Sequence, residues 1–181
     1  MRGKRLALDK MKKGFTLIEL VVVMAIIGIL ATAGVFAYQS VLKDTRDARR
    51  KTDLKEIQIA LENYKAVNGT YPLNTDDNNC GWDVSDVGTF INPLLTGGFL
   101  KKQPTDPKPG LSYLYCTTGA WGYRYYRYLG TESSSGCGKP HYIIGARMEN
   151  SSNTDVSQVP DCYAQKTTFQ DRFFFGIGDF E

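Results

Sequence analysis

The stretch KKGFTLIELVVVMAIIGILATAGVFAY, residues 12–38, decides how the rest of the chain is read. From Phe15 to Tyr38 it carries one formal charge, Glu19. At 1.5 Å per residue such a run makes a helix of about 36 Å, longer than the ~30 Å hydrocarbon core of a bilayer. Arg2, Lys4, Arg5, Lys10, Lys12 and Lys13 precede it, a flank suited to the cytoplasmic side of a membrane. Lys43, Arg46, Arg49, Arg50, Lys51 and Lys55 follow it, so charge does not orient the segment by itself. A secretory signal places its cleavage site after the apolar region and is lost with it. Here the order is reversed: Gly14 stands between the basic residues and the apolar run.

A carboxylate in an apolar run costs up to about 3 kcal/mol in a membrane unless it is paired or close to the interface. Glu19 therefore needs a cation. Attraction between the two at ~4 Å is about 4 kcal/mol at an effective dielectric of ~20, and desolvation takes back much of that. Glu19 is thus expected to set register more than bulk stability. The small residues Ala25, Gly28, Thr32, Ala33 and Ala37 would let such helices approach closely.

Beyond Tyr38, Leu54, Ile57, Leu61 and Tyr64 recur at helical spacing among charges, predicting an amphipathic continuation of the same helix. It should stop at Asn68-Gly69, giving one helix from Phe15 to Val67 of about 80 Å. The charged face from Asp44 to Arg50 is expected to be solvated surface or a contact with neighbours. Residues 69–110, rich in Asn, Asp, Gly and Pro, read as a connecting loop holding one short helix around Phe90, Ile91, Leu94 and Leu95. Strands are expected at 111–117, 121–129, 142–148 and 172–177, joined by turns that suit antiparallel pairing. The fold class is α+β: a long N-terminal helix packed on a small antiparallel sheet, with segments at 1–14 (leader), 15–38 (apolar helix), 39–68 (amphipathic helix) and 69–181 (globular head).

KKGFTLIEL resembles the class III leader of type IV prepilins and type II secretion pseudopilins, in basic residues, Gly, Phe, Thr, Leu, Ile, Glu and an unbroken apolar run. The likeness extends to DLKEIQIALENYKAVNGTYP at 53–72 and YIIGARMEN at 142–150. It implies a pilin fold, cleavage by prepilin peptidase between Gly14 and Phe15, and methylation of the Phe15 amine. It further implies assembly with copies of itself and other pilins through Phe15 and Glu19, on an inner-membrane platform. The precursor would sit in the cytoplasmic membrane with its N-terminus in the cytoplasm and its head outside. Once assembled it would stand in a cell-surface pilus or a periplasmic pseudopilus. Many type IV pilins carry a proline in the apolar helix; here none occurs before Pro72, which leans toward the pseudopilin pattern. Major pseudopilins usually show a calcium loop and Asp-Pro-Trp-Gly, whereas Asp106-Pro107 is followed here by Lys108 and Pro109.

At 181 residues the chain has room for one domain with a core of its own. Its net charge of +3 is misleading, because six of the 22 Lys and Arg and one of the 19 Asp and Glu lie in residues 1–14, leaving a net −2. That mildly acidic remainder argues against nucleic acid as a partner, and lowers the reading of Tyr113, Tyr115, Trp121, Tyr123, Tyr125, Tyr126, Tyr128, Arg124 and Arg127 as a stacking platform for single-stranded nucleic acid or a sugar-binding face. In a strand Tyr123 and Tyr125 share one face, while Arg124, Tyr126 and Tyr128 share the other, so one row is expected in the core. Cys80, Cys116, Cys137 and Cys162 lack zinc-site spacing and read as disulfides of an exported head. Four cysteines allow three connectivities, which spacing does not resolve; the pairing expected is Cys80 with Cys116 and Cys137 with Cys162.

No cofactor is expected, with Asp76, Asp77, Asn78, Asp83 and Asp86 held as a lesser calcium reading because their spacing is not that of an EF-hand. His141, alone, builds neither a triad nor a metal site and is expected at the surface or a strand edge. Gly176-Ile177-Gly178 has no following helix to cradle a phosphate. No enzyme is indicated. The functions that remain are a pilus subunit for adhesion, motility or DNA uptake, a major pseudopilin driving protein export, and a single-pass anchored binding protein.

Overall fold

Helix α1 (Leu17–Asn68) runs unbroken for 52 residues, and its ends lie within two residues of those expected. It stops where the sequence provides a left-handed cap: Gly69 adopts φ 77° and its N–H donates to the Lys65 carbonyl at 2.8 Å. The computed structural model describes residues 14–74, 81–85, 90–108, 122–131, 136–163, 166 and 174–180. The chain divides into two units between Ser40 and Val41.

In the first unit none of the described side chains of α1 is buried. Leu17, Ile18, Met24, Ile29 and Leu30 are between 65% and 81% exposed. An 18-residue window here has a mean hydropathy of 2.7, so the helix is long and apolar enough to cross a membrane.

In the second unit the same helix becomes amphipathic. Leu54, Ile57, Ala60 and Leu61 pack into a core with Tyr71, Phe90, Ile91, Leu94, Tyr123, Tyr125, Tyr142, Ile144 and Ile177. The short helix expected near Phe90 is α2 (Asn92–Thr96). It begins later than the apolar residues suggested, because Ile91 adopts φ 42° and Pro93 fits the first turn.

The sheet comprises β1 (Asp83–Val84), β2 (Tyr123–Tyr128), β3 (His141–Arg147), β4 (Asp155–Gln158) and β5 (Phe174–Phe180), in the order β1-β2-β3-β5-β4. Strands β2, β3 and β5 realise three of the expected strands; the one expected at 111–117 lies outside the described residues. The expectation of a purely antiparallel sheet needs correction. Strand β4 pairs parallel with β5, through Asp155 opposite Phe175 and Gln158 opposite Ile177. Residues 159–173 supply the long connection that a parallel pair demands, and β5 enters between β3 and β4. Only Val156 of β4 is buried, too little alternation to mark a strand in advance. Strand β1 lies in the region read as loop.

Two side-chain expectations are also corrected. The face from Asp44 to Arg50 is not simply solvated: Asp47 and Arg50 are fully buried. Nor is His141 a surface residue. It stands opposite Tyr128 across the β2–β3 pair, stacks on it at 4.8 Å and is covered by Phe180 at 5.9 Å. Tyr128 in turn shares a 2.9 Å hydrogen bond with the Tyr163 hydroxyl.

Candidate functional site

Gly14 and Phe15 precede α1 outside any regular element, exposed to solvent, with Phe15 at 89% exposure. A Cβ built on Gly14 meets nothing within 4 Å. The described fold therefore leaves room for a side chain at this position.

Thr16 caps the helix, and Glu19 completes the cap. The Glu19 N–H donates to Thr16 Oγ1 at 3.3 Å, while Glu19 Oε2 accepts from the Thr16 N–H at 2.8 Å and from the Thr16 hydroxyl at 2.7 Å. This is a reciprocal capping box, and it satisfies two of the donors that a helix N-terminus leaves orphaned. Sequence reasoning treated Glu19 only as a charge in need of a cation. The signal for its second role was present, since Thr16-Leu17-Ile18-Glu19 has the T-x-x-E spacing. Carboxylate Oε1 has no hydrogen-bond partner among the described residues. The small residues Gly28 and Gly34 farther along α1 also face open space.

A second polar cluster belongs to the head. Arg50 donates to Asp106 Oδ1 and Oδ2, both at 2.8 Å, to Asp47 at 2.7 Å and to Glu149 at 3.2 Å. Arg46 grips Glu149 through both oxygens at 2.6 and 2.7 Å, and Lys108 reaches the same carboxylate at 3.2 Å. The hydrogen bonds from Arg46, helped by Lys108 and Arg50, outweigh burial and hold the Glu149 carboxyl down at about 2. Burial would lower the Arg50 pKa, but the carboxylates of Asp106, Asp47 and Glu149 raise it above the ordinary arginine value. The cluster ties α1 to the 103–108 segment and to the chain after β3, and every charge in it is matched; its geometry is that of a clasp.

The tyrosine row is also structural. Tyr123 and Tyr125 are fully buried, and their hydroxyls donate to Asp53 and the Pro72 carbonyl. Cys137 and Cys162 form a disulfide with an S–S distance of 2.07 Å. Cys80 and Cys116 lie outside the described residues, as do Asp76, Asp77, Asn78 and Asp86, while Asp83 is buried in β1.

The family model for the prokaryotic N-terminal methylation motif matches residues 9–35. The chain is 35% identical to a fimbrial protein of Pseudomonas aeruginosa over 116 residues, 61% of this chain and 70% of that protein. It is 34% identical to the type II secretion system core protein G of Vibrio cholerae over 120 residues, 64% of this chain and 79% of that protein. Its identity to the core protein G of Pseudomonas aeruginosa is 35%, over 62% of this chain and 79% of that protein. No solved structure matches.

Proposed function

Because the chain belongs to the family of type IV pilins and type II secretion pseudopilins, whose members are structural subunits and not enzymes, we propose that it builds a type IV pilus-like filament at the cell surface, serving adhesion, motility or DNA uptake. The observation that carries this reading is the apolar half of α1. Its large side chains are about half exposed or more, and leaving each in water would cost about 1.5–3 kcal/mol relative to covering it with lipid or with neighbouring helices. Before assembly the membrane covers this surface, with the head outside the cytoplasm. Prepilin peptidase cuts after Gly14, the Phe15 amine is freed and methylated, and the helix moves from lipid into the filament core on the inner-membrane platform.

Glu19 then has two tasks. Its Oε2 caps its own helix through Thr16, and its charge meets the Phe15 ammonium of a neighbouring subunit. Two substitutions separate them, since glutamine can still complete a capping box whereas alanine cannot. Both Glu19→Ala and Glu19→Gln should lower the yield of sedimentable filaments by about tenfold or more, because both remove the charge. Parental yield from Glu19→Gln would leave only the capping role and refute the pairing.

A second reading, a major pseudopilin driving protein export, is favoured by one observation: α1 is unbroken from Leu17 to Asn68, without the proline that many type IV pilins carry. Electron microscopy separates the two. Long surface fibres support the pilus, short periplasmic ones the pseudopilus, and cleaved chain that never polymerises would support an anchored binding protein.

A further inference from the structure

The filament reading leaves open which parts of the head meet. The head has an open groove of about 370 Å³ between α1 and the segment after α2, lined by Glu56, Ile59, Phe99, Leu100, Lys101 and Lys102. Its floor is apolar, with Ile59 left 62% exposed on α1 and Phe99 packed edge-on against Tyr64 at 5.4 Å. Its rim is cationic. Lys101 and Lys102 are exposed, and neither enters an ion pair among the described residues. With two lysines against Glu56, the groove suits a segment that joins an apolar side chain to a carboxylate.

The chain carries such a segment on its other side. Asp179 and Phe180 close β5; both are exposed, Phe180 at 40%. The groove segment is tied to the end of β1, where Gln103 Nε2 donates to the Ser85 carbonyl at 3.1 Å. Strands β1 and β4 are the two edges of the sheet, and β5 neighbours β4. On α1, Lys51, Lys55 and Lys65 face the β5 and β4 side, over the Phe175 ring at 5.1 Å, against Gln158 at 2.9 Å and against the Phe180 carbonyl at 2.9 Å. Groove and segment are therefore separate patches on different flanks of one head. A helical polymer needs that arrangement: one patch of each subunit meeting a different, complementary patch of the next, without closing into a ring.

Resting on the filament reading above, we infer that the groove of each head receives the Asp179–Phe180 end of β5 from a second copy of the chain, the Phe180 ring on Ile59 and Phe99 and the Asp179 carboxylate against Lys101 and Lys102. Lys101, Lys102 and Asp179 all lie at the surface, so reversing their charges leaves the core intact. The test uses the full chain, expressed where the parent forms filaments. Lys101→Glu with Lys102→Glu, and separately Asp179→Lys, should each lower sedimented filament by about tenfold, and the triple variant should recover most of it. A photo-crosslinking residue replacing Phe99 should join two copies, with the crosslinked peptide containing residues 174–181. Parent filaments unaffected by the lysine reversal, a triple variant no better than its components, or a crosslink to a protein of different mass would overturn the contact while leaving the filament reading intact. A parent that never polymerises would instead overturn both.

Discussion

Glu149 shows how one residue fixes the pH range in which the head holds together. Its carboxyl ordinarily titrates at 4.5 and is held at about 2 in the folded chain, first by the Arg46 guanidinium. On acidification the unfolded chain therefore takes up a proton that the folded chain refuses. The stabilisation is complete above pH 4.5 and is lost as pH falls toward 2, a change on the order of 3 kcal/mol. Denaturant midpoints measured across that window should fall steeply in the parent. In Glu149→Gln the fall should be shallower, from a lower starting stability because Arg46 and Arg50 lose a charged partner. Equal slopes in the two proteins would show that Glu149 is not held as the geometry indicates. Glu19 also does more than its charge suggests: a residue read from sequence as a bare charge closes the N-terminal cap of α1.

At the scale of elements, the long helix was legible and the sheet only partly so. Leu54, Ile57 and Leu61 announce the packed face of α1 by their spacing, and Asn68-Gly69 marks its end. Strands β2, β3 and β5 are six or seven residues long and rich in aromatic or β-branched residues, so their composition marks them. Strands β1 and β4 are two and four residues long, and they exist because a neighbour offers them a hydrogen-bonding edge, a tertiary cause that no local pattern carries. The same limit hid Arg50 and Asp47: their partners Asp106 and Glu149 stand 56 and 99 residues from Arg50. The connection from β2 to β3 depends on Gly130, at φ +84°, where an added Cβ would sit 2.5 Å from the Lys139 carbonyl carbon. Gly130→Ala should cost about 2 kcal/mol or more, read as a drop of several degrees in the thermal midpoint; an unchanged midpoint would mean the turn relaxes freely.

For the molecule as a whole, charge, cysteines and hydropathy divide along the chain. The basic excess lies before Gly14, the uninterrupted apolar run follows it, and every cysteine lies beyond residue 68. The Cys137–Cys162 disulfide spans 25 residues, and replacing both cysteines by serine should lower head stability by about 3 kcal/mol by the loop-closure argument. With that pair joined, peptide mapping of the unreduced protein should link Cys80 to Cys116; a Cys80–Cys162 peptide would contradict the structure. Under the proposed function these divisions belong together, as a precursor that would shed its basic leader and keep its apolar helix for assembly. The most direct measurement is the intact mass and N-terminal sequence of the subunit in purified filaments. The expected subunit begins at Phe15 with a methylated amine, whereas filaments built of chains that still carry residues 1–14 would contradict the account.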